Sequence, residues 1–314
     1  MTAAAARFAA QWAAVAPHEP VGLAVSGGPD SLAMLLLFHE VAPRNFQVAT
    51  VDHGLRAESA DEAAMVAAIC AERGIAHRTL ALSLEKGSAV QERARAARYA
   101  TLAQWARDQG LAAIVTAHHA DDQAETMVMR LNRGVGLRGL AAMRPVAQVP
   151  GAPGLTLLRP LLSWRRAELQ AVVNLTGLAA ADDPSNRDPG YERVRMRDAL
   201  TSTDAFAIMG FARSARHLAE ADAALDWVVG QLWESVTTAG EGFTWNPPPG
   251  LPDAIALRLL ERVLARLGGG TPRGAELVRW LETLRQGGVA TLGGVKGDAR
   301  SGAWRFTLAP PHCA

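Results

Sequence analysis

The chain has very little cysteine, with only Cys70 and Cys313 among its 314 residues. Two cysteines cannot build a disulfide framework or a four-ligand zinc site, and a reducing compartment is the simplest setting for such a chain. No apolar run approaches the roughly 20 residues of a membrane span. The alanine-rich N-terminus contains Gln11 and Trp12 and lacks the sustained apolar core of a signal peptide. The sequence therefore predicts a soluble, cytoplasmic protein with no membrane partner.

Lysine is also scarce, because only Lys86 and Lys296 stand among the 32 basic residues. The net charge is +1, which argues neither for nor against a nucleic-acid partner, since the position of the charge decides that question. A hydrophobic content of 49% supplies ample core. At this length the chain is too long for one ordinary domain and too short for three, so we expect two domains.

From residue 21 onward, short apolar runs alternate with longer helical patterns, which is typical of a parallel sheet with crossover helices. The apolar runs predict strands at 21–25, 47–51 and 112–116, with a weaker candidate at 77–81. The helical patterns lie at 31–41, 58–73, 88–109 and 121–133. This alternation predicts an α/β domain with a doubly wound parallel sheet.

The strand signals fade after Tyr191, and apolar residues then recur at helical spacing. This spacing predicts helices at 204–230, 254–267 and 274–285, a Pro-rich connector at 242–251 and a small strand pair within 289–308. We therefore expect a boundary near residue 205, with a first domain of 1–205 and a smaller, mainly helical second domain of 206–314.

A glycine-rich turn joins the first strand to the first helix, and its residues are Ser26, Gly27, Gly28, Pro29, Asp30 and Ser31. The glycines let the backbone approach phosphate oxygens, and the helix N-terminus directs amides at the anion. A bare phosphate would repel Asp30, so this carboxylate suggests a bridging Mg²⁺. The chain has no G-x-x-x-x-G-K-[ST] string, which argues against γ-phosphoryl transfer. A plain tight turn remains the alternative interpretation.

A second glycine pattern, G-x-G-x-x-G, covers residues 134–139. It follows a helical pattern and no strand leads into it, so a dinucleotide site is not expected there.

The turn at residues 26–31 resembles the PP-loop of the ATP pyrophosphatases, which cleave ATP between its α and β phosphates. Four further segments resemble the tRNA(Ile)-lysidine synthetase family within that class. They are 51–56 (VDHGLR), 94–99 (ARAARY), 118–126 (HHADDQAET) and 182–186 (DDPSN), and the likeness extends to 133–140 and 159–162. It covers roughly residues 20–200.

The resemblance implies that ATP adenylates carbon 2 of the wobble cytidine in an isoleucine tRNA with anticodon CAU, after which the amine of L-lysine displaces AMP. It implies an ATP site that includes the turn residues together with Asp52 and His53. The residues expected to act in catalysis are His118, His119, Asp121 and Asp122, with Asp30 and Asp122 as Mg²⁺ ligands. The alternatives are a simple turn at Asp52 and His53, and helix capping by the paired aspartates.

A basic tract runs from residue 126 to 167, where there is no Asp or Glu and seven arginines occur. Such a local imbalance is typical of a surface that binds a polyanion, although a solvated arginine-rich surface is the alternative. Within the resemblance, the residues expected to bind tRNA are Arg95, Arg98, Arg133, Arg138, Arg193, Arg195 and Arg197. The last three depart from the family, which carries an asparagine where this chain has Val194. The second domain is expected to dock the tRNA.

Three rival functions remain open. A 2-thiolation enzyme of the same fold would need paired reactive cysteines, for which Cys70 and Cys313 are poor candidates. A GMP or NAD synthetase would not need the arginine tract. A degenerate module that only binds nucleotide and RNA would not need Asp30.

Overall fold

The computed structural model describes residues 2–54, 58–82, 90–182, 187–270 and 272–309. Several residues of the sequence analysis lie outside these ranges, namely Leu55, Arg56, Lys86, Cys313 and the segment 183–186. The chain divides into two compact units, 1–219 and 220–314. No helix in the described ranges is long and apolar enough to span a bilayer.

The first unit is built on a six-stranded sheet. Its strands are β1 (Val21–Ala24), β2 (Phe46–Asp52), β3 (His77–Ala81), β4 (Ala113–Val115), β5 (Val146–Val149) and β6 (Ala152–Leu158). Their order is β3-β2-β1-β4-β6-β5, and only the edge strand β5 runs antiparallel to its neighbour. The sequence analysis predicted the first four strands and missed β5 and β6.

Helices cover both faces of this sheet, so the prediction of a doubly wound α/β fold is confirmed. They are α1 (Ala3–Ala13), α2 (Pro29–Val41), α3 (Glu58–Glu72), α4 (Val90–Asp108), α5 (Ala120–Asn132), α6 (Leu137–Leu140), α7 (Arg166–Asn174) and α8 (Glu192–Thr201). Strand residues alternate between two hydrophobic cores, as the period of a strand requires. Leu23 and Val115 pack in one core, whereas Ile114 packs beside Trp105 of α4 in the other.

The polarity of the sheet places a crevice at one edge. β1 pairs in parallel with β2 on one side and with β4 on the other, so the strand order reverses between β1 and β4. In open α/β sheets, ligands bind outside the carboxyl ends of the strands at such a reversal. The turn at residues 26–31 follows β1, and the segment 116–119 follows β4. The fold therefore brings both predicted segments to the same crevice.

The second unit combines helices with an antiparallel sheet. Helix α9 (Ile208–Trp233) runs through the division between the units and is followed by α10 (Asp253–Arg266) and α11 (Gly274–Arg285). The strands are β7 (Thr237–Ala239), β8 (Gly242–Trp245), β9 (Val289–Leu292), β10 (Val295–Ser301) and β11 (Ala303–Leu308), in the order β7-β8-β11-β10-β9. The helices agree with the prediction, but the sheet is larger than the expected strand pair.

The physical reason for that difference is the long-range pairing of β8. Trp245 pairs with Trp304 of β11, which lies far away in the sequence. A Cβ at Gly242 would lie 2.1 Å from the carbonyl oxygen of Phe306, so glycine permits this close pairing. Locally, glycine and the following prolines indicate a connector, and only the partner strand makes the segment extended. The two units divide inside the continuous α9, and the expected boundary near residue 205 falls just before the start of that helix.

Candidate functional site

The turn after β1 has the geometry of an anion-binding loop. Gly27 has a φ of +88°, a conformation that favours glycine. Gly28 is the N-cap of α2 and, lacking a side chain, makes no side-chain capping bond. The Ser31 hydroxyl donates to the Gly28 carbonyl oxygen at 2.9 Å and accepts from the Ser26 amide at 3.1 Å. The loop is therefore held by its own serines, while amides at the start of α2 are left available to an anion.

Asp30 lies in the first turn of α2 and faces His119 across the crevice. Its Oδ2 atom lies 3.3 Å from His119 Nε2, and its Oδ1 atom is buried without a hydrogen-bond partner. Asp122 Oδ2 lies 3.5 Å from the same His119 nitrogen. The carboxylates of Asp30 and Asp122 therefore contact the same imidazole nitrogen, and one oxygen of Asp30 is buried without a partner. Carboxylate oxygens are the hard ligands that Mg²⁺ prefers, so these two residues could hold the ion. The predicted metal ligands Asp30 and Asp122 are thus brought together.

His119 is enclosed by carboxylates and almost fully buried, with 1% of its side chain exposed. Its third neighbour is Asp121, whose Oδ2 atom lies 3.6 Å from His119 Nδ1. Burial alone would lower the pKa of His119, but the carboxylates of Asp121, Asp30 and Asp122 raise the pKa to about 9. The ring is therefore protonated at neutral pH, although neither ring nitrogen makes a well-aligned hydrogen bond.

Asp121 and Asp122 have different partners although they are adjacent. Asp121 accepts from the Arg165 guanidinium at 3.1–3.3 Å and from the Arg166 amide at 2.8 Å. Burial would raise its pKa, but His119 and these donors hold the pKa of Asp121 well below its usual range. Asp122 Oδ2 accepts from the His119 amide at 3.1 Å and so caps α5. The capping alternative therefore describes Asp122 in part, and the same carboxylate also contacts the imidazole.

His118 has the opposite charge state. Its Nδ1 atom lies 2.8 Å from the Thr116 hydroxyl. Burial holds the pKa of His118 well below its usual range, and the positive charges of Arg159 and Arg98 lower it further against the opposing effect of Asp122. The two adjacent histidines therefore present one neutral and one charged imidazole at pH 7.

Asp52 and His53 lie at the carboxyl end of β2, at the same sheet edge as the turn, because Ala49 of β2 pairs with Ala24 of β1. Asp52 Oδ1 accepts from the Gly54 amide at 3.0 Å and from the Ser59 hydroxyl. The Ser59 bond, followed by the Gly54 bond, lowers the pKa of Asp52. This carboxylate therefore shapes the turn that follows β2.

The arginines expected to bind tRNA have three kinds of environment: beside Tyr99, on the exposed surface, and in contacts made by α8. Arg95 and Arg98 stack on Tyr99, with guanidinium carbons 5.2 and 5.5 Å from the ring centroid. Arg138 is exposed, and Arg133 is 59% exposed although it pairs with Glu192.

The arginines of α8 are engaged within the first unit. Arg197 Nε donates to Glu125 at 2.8 Å, and Arg193 Nε lies 3.4 Å from the other oxygen of that carboxylate. Arg195 donates to the carbonyl oxygens of Pro189 and Gly190. The arginine spacing noted in the sequence thus places two of the three side chains on a buried acid.

Glu125 was quoted in a family segment but was not among the predicted site residues. It is 1% exposed, and Arg166 Nη2 also lies 3.9 Å from its carboxylate. The sequence signal that could have identified Glu125 is its position three residues after Asp122, which places both carboxylates on the same side of α5. Arg165 and Arg166 were assigned only to the basic tract. They reach the site because they begin α7, a helix that the sequence analysis missed.

The comparisons with known proteins agree with this geometry. A family described as PP-loop domain matches residues 1–203. A tRNA(Ile)-lysidine synthase from Novosphingobium aromaticivorans is 67% identical over 312 residues, which is 99% of this chain and 96% of that protein. Its counterpart from Zymomonas mobilis is 40% identical and covers 93% of this chain and 89% of that protein.

Among solved structures, the U34-tRNA thiolase NcsA from Methanococcus maripaludis matches with a TM-score of 0.57 and 18% identity. The match covers 69% of this chain and 78% of the thiolase. At this identity the likeness shows the fold alone.

Proposed function

The chain belongs to the tRNA(Ile)-lysidine synthase family of PP-loop proteins, and on this premise we propose that it ligates lysine to an isoleucine tRNA with anticodon CAU. The cytidine oxygen at carbon 2 attacks the α-phosphorus of ATP and pyrophosphate leaves. The lysine amine then attacks carbon 2, the carbon–oxygen bond breaks, and AMP leaves as the amine loses a proton. The enzyme is a ligase that acts on tRNA, and we infer a cytoplasmic location from these substrates.

The environment of the Asp30 carboxylate is the observation that best supports the proposed ATP chemistry. Its buried, unpartnered Oδ1 atom lies at the N-terminus of α2, beside a glycine turn that presents backbone amides. The amides and the helix dipole would bind the phosphates, and Asp30 with Asp122 would hold Mg²⁺. When bound, Mg²⁺ would neutralise the charge that develops on the pyrophosphate. Gly27 and Gly28 let the phosphates approach the backbone, and Asp52 with His53 borders the nucleotide.

The two histidines are assigned different roles because the structure gives their imidazoles different pKa shifts. His119 lies between Asp30, Asp121 and Asp122, whose carboxylates raise its pKa, so it would orient the two carboxylates that are proposed to hold Mg²⁺. His118 stays neutral at pH 7, so it serves as a hydrogen-bonding group for the cytosine or the amine rather than as a strong acid.

The tRNA would contact exposed arginines of the first unit and, separately, residues of the second unit. Arg133 directly follows α5 and Arg138 lies in α6, within a segment that has no acidic residue. Arg193 and Arg197 both contact Glu125, so we assign them to the organisation of the site as well as to the RNA. Docking of tRNA by residues 206–314 completes the proposal.

A thiolation enzyme is the weaker candidate. Cys70 packs in the hydrophobic core, and burial raises the pKa of its thiol to about 11. A thiol that is held protonated in a core is a poor nucleophile. In the part of the chain that the structure describes, no other cysteine is present that could replace it.

The proposal is tested with purified full-length chain, ATP, Mg²⁺, labelled lysine and isoleucine tRNA bearing CAU. We expect lysine in the tRNA and one pyrophosphate released per lysine joined. Asp30→Asn keeps the side-chain shape and removes the charge, so pyrophosphate release should be lost. Absence of lysine incorporation by the folded wild-type protein would refute the function.

The matched control is Asp108→Asn, an exposed aspartate at the end of α4 that accepts a hydrogen bond from Gln104. It lies at the opposite edge of the sheet, so the control should retain wild-type pyrophosphate release. Normal release by the Asp30 variant would remove the metal-binding role assigned to that carboxylate while leaving the ligation reaction in place.

A further inference from the structure

Helix α1 packs against α2, the helix that begins in the glycine turn. Phe8 and Trp12 are buried, and their rings meet Phe38 of α2 edge-on, with centroids 5.0 and 4.7 Å away. Phe8 and Trp12 are four residues apart, so both lie on the same side of α1. The Thr2 amide also donates to the Glu40 carboxylate of α2 at 2.7 Å. The apolar side of α1 is therefore fixed to α2.

Two polar side chains of α1 hold a different part of the chain, the segment that leads into α7. Arg7 donates to the Ser163 carbonyl oxygen at 2.7 Å and to the Glu168 carboxylate at 2.6 Å. Its guanidinium carbon lies 4.3 Å from the centroid of the Trp164 ring. Gln11 donates to the Ser163 hydroxyl at 2.7 Å and accepts from the Trp164 indole nitrogen. Arg7 and Gln11 thus fix both the backbone and the buried ring of this segment.

The same segment, residues 163–166 (the α7 entry segment), contacts the first turn of α5. The Trp164 carbonyl oxygen accepts from the Ala120 amide at 2.8 Å. An amide in the first turn of a helix has no partner within that helix, so this bond supplies one from outside. The Arg165 guanidinium and the Arg166 amide both donate to the Asp121 carboxylate. The α7 entry segment therefore fixes the start of α5 through its backbone and through one of its carboxylates.

Helix α1 is thus connected to both sides of the proposed metal site. It contacts α2 directly, and it contacts α5 through the α7 entry segment. Asp30 of α2 and Asp122 of α5 lie 3.3 and 3.5 Å from the same nitrogen of His119. Two carboxylates can hold one ion only while their oxygens keep a fixed spacing, so residues that set this spacing affect the reaction without contacting a substrate.

We propose that Arg7 and Gln11 are positioning residues for the ligation reaction, which set the spacing between Asp30 and the first turn of α5 through the α7 entry segment. This role rests on the function proposed above. Gln11 gives the clearer test, because both of its hydrogen bonds go to the α7 entry segment. Arg7 also pairs with Glu168, and both side chains are more than a third exposed, so solvent screens that pair.

Gln11→Met keeps the length and the helix propensity of the side chain and removes both hydrogen bonds. Gln11→Glu is the conservative variant, because its carboxylate can accept from the Trp164 indole and from the Ser163 hydroxyl, which can rotate to donate. Gln104→Met is the matched control, an exposed glutamine that loses a single 2.8 Å bond within α4. Thr2→Ala removes the N-cap of α1 and so weakens the same helix without touching the α7 entry segment.

For each full-length variant, we would measure kcat, the KM for ATP and for lysine, the Tm, and hydrogen exchange of peptides from residues 116–126. We expect Gln11→Met to lower kcat by about 10-fold or more, as loss of a group that orients metal ligands does. Changes in KM should be smaller, because Gln11 contacts no substrate. Exchange at the Ala120 amide should be faster, since its acceptor is no longer held. Gln11→Glu should restore both quantities, and Gln104→Met should leave both as in the wild type.

An unchanged kcat in Gln11→Met, assayed well below its Tm, would overturn the positioning role. An equal loss of kcat in Thr2→Ala would also overturn it, because the effect would then follow the general stability of α1. Arg7→Met is the second variant if Gln11→Met does not fold, and the same outcomes decide it. Failure of the proposed function is distinguishable, because the wild type would then join no lysine to tRNA. In that case the exchange measurement still decides, and unchanged exchange at Ala120 would refute the connection.

Discussion

Replacing Glu125 by glutamine perturbs the most enclosed ion network of the first unit. The carboxylate is 1% exposed and has the guanidiniums of Arg197, Arg193 and Arg166 within 2.8, 3.4 and 3.9 Å. Removing one partner of a buried ion pair costs about 3–5 kcal/mol, because the remaining charges stay desolvated and unpaired. Glutamine keeps one oxygen that can accept from Arg197. We therefore expect a loss near the lower limit, about 3 kcal/mol of unfolding free energy.

The matched control is Glu192→Gln, which makes the same chemical change in the pair with Arg133. Those side chains are 35% and 59% exposed, so solvent screens the pair and the expected loss is below about 1 kcal/mol. Urea unfolding at pH 7, read by hydrogen exchange of peptides from α5 and α8, reports on the first unit separately. A difference between the two variants of less than about 1 kcal/mol would refute the reasoning from burial.

Three further predictions concern other parts of the molecule. Gly27→Ala should cost about 1–3 kcal/mol in urea unfolding and weaken ATP binding, because φ is +88° and the added Cβ would lie 3.1 Å from Met65 Cε; an unchanged midpoint would contradict the strain. Arg138→Ala should weaken tRNA binding and reduce the salt slope by about one, and an unchanged slope would remove this contact. Burial raises the pKa of Cys70 from 9.0 to about 11, so the stability it contributes below pH 9 is lost as pH rises towards 11; iodoacetamide at pH 8.5 should modify Cys70 only in unfolded protein.

The first unit was predictable wherever structure follows from local pattern. The predicted strand at 77–81 coincides with β3, and the predicted helix at 58–73 matches α3 (Glu58–Glu72) to one residue. Apolar periodicity carries this information because each element buries its own face. Strands β5 and β6 were missed because glycine and proline interrupt the apolar pattern on both sides of them.

Distant partners limited what could be predicted of the site. Glu125 meets Arg193 and Arg197 only because α8 packs against α5, and no local signal links these helices. Arg165 and Arg166 reach Asp121 because α7 begins at Arg166. In the second unit, β8 becomes a strand only through pairing with β11.

The sequence by itself determined the glycine turn with its aspartate, the strand before it and the helix after it, because these depend on residues a few positions apart. It also determined, through resemblance, which family the chain belongs to. The tertiary structure alone decided the charges of His118 and His119. They are adjacent in sequence, yet one lies among arginines and is neutral whereas the other lies among three carboxylates and is protonated. The physical reason is that an imidazole takes its pKa from charges within a few ångströms, and the fold supplies those charges from other elements.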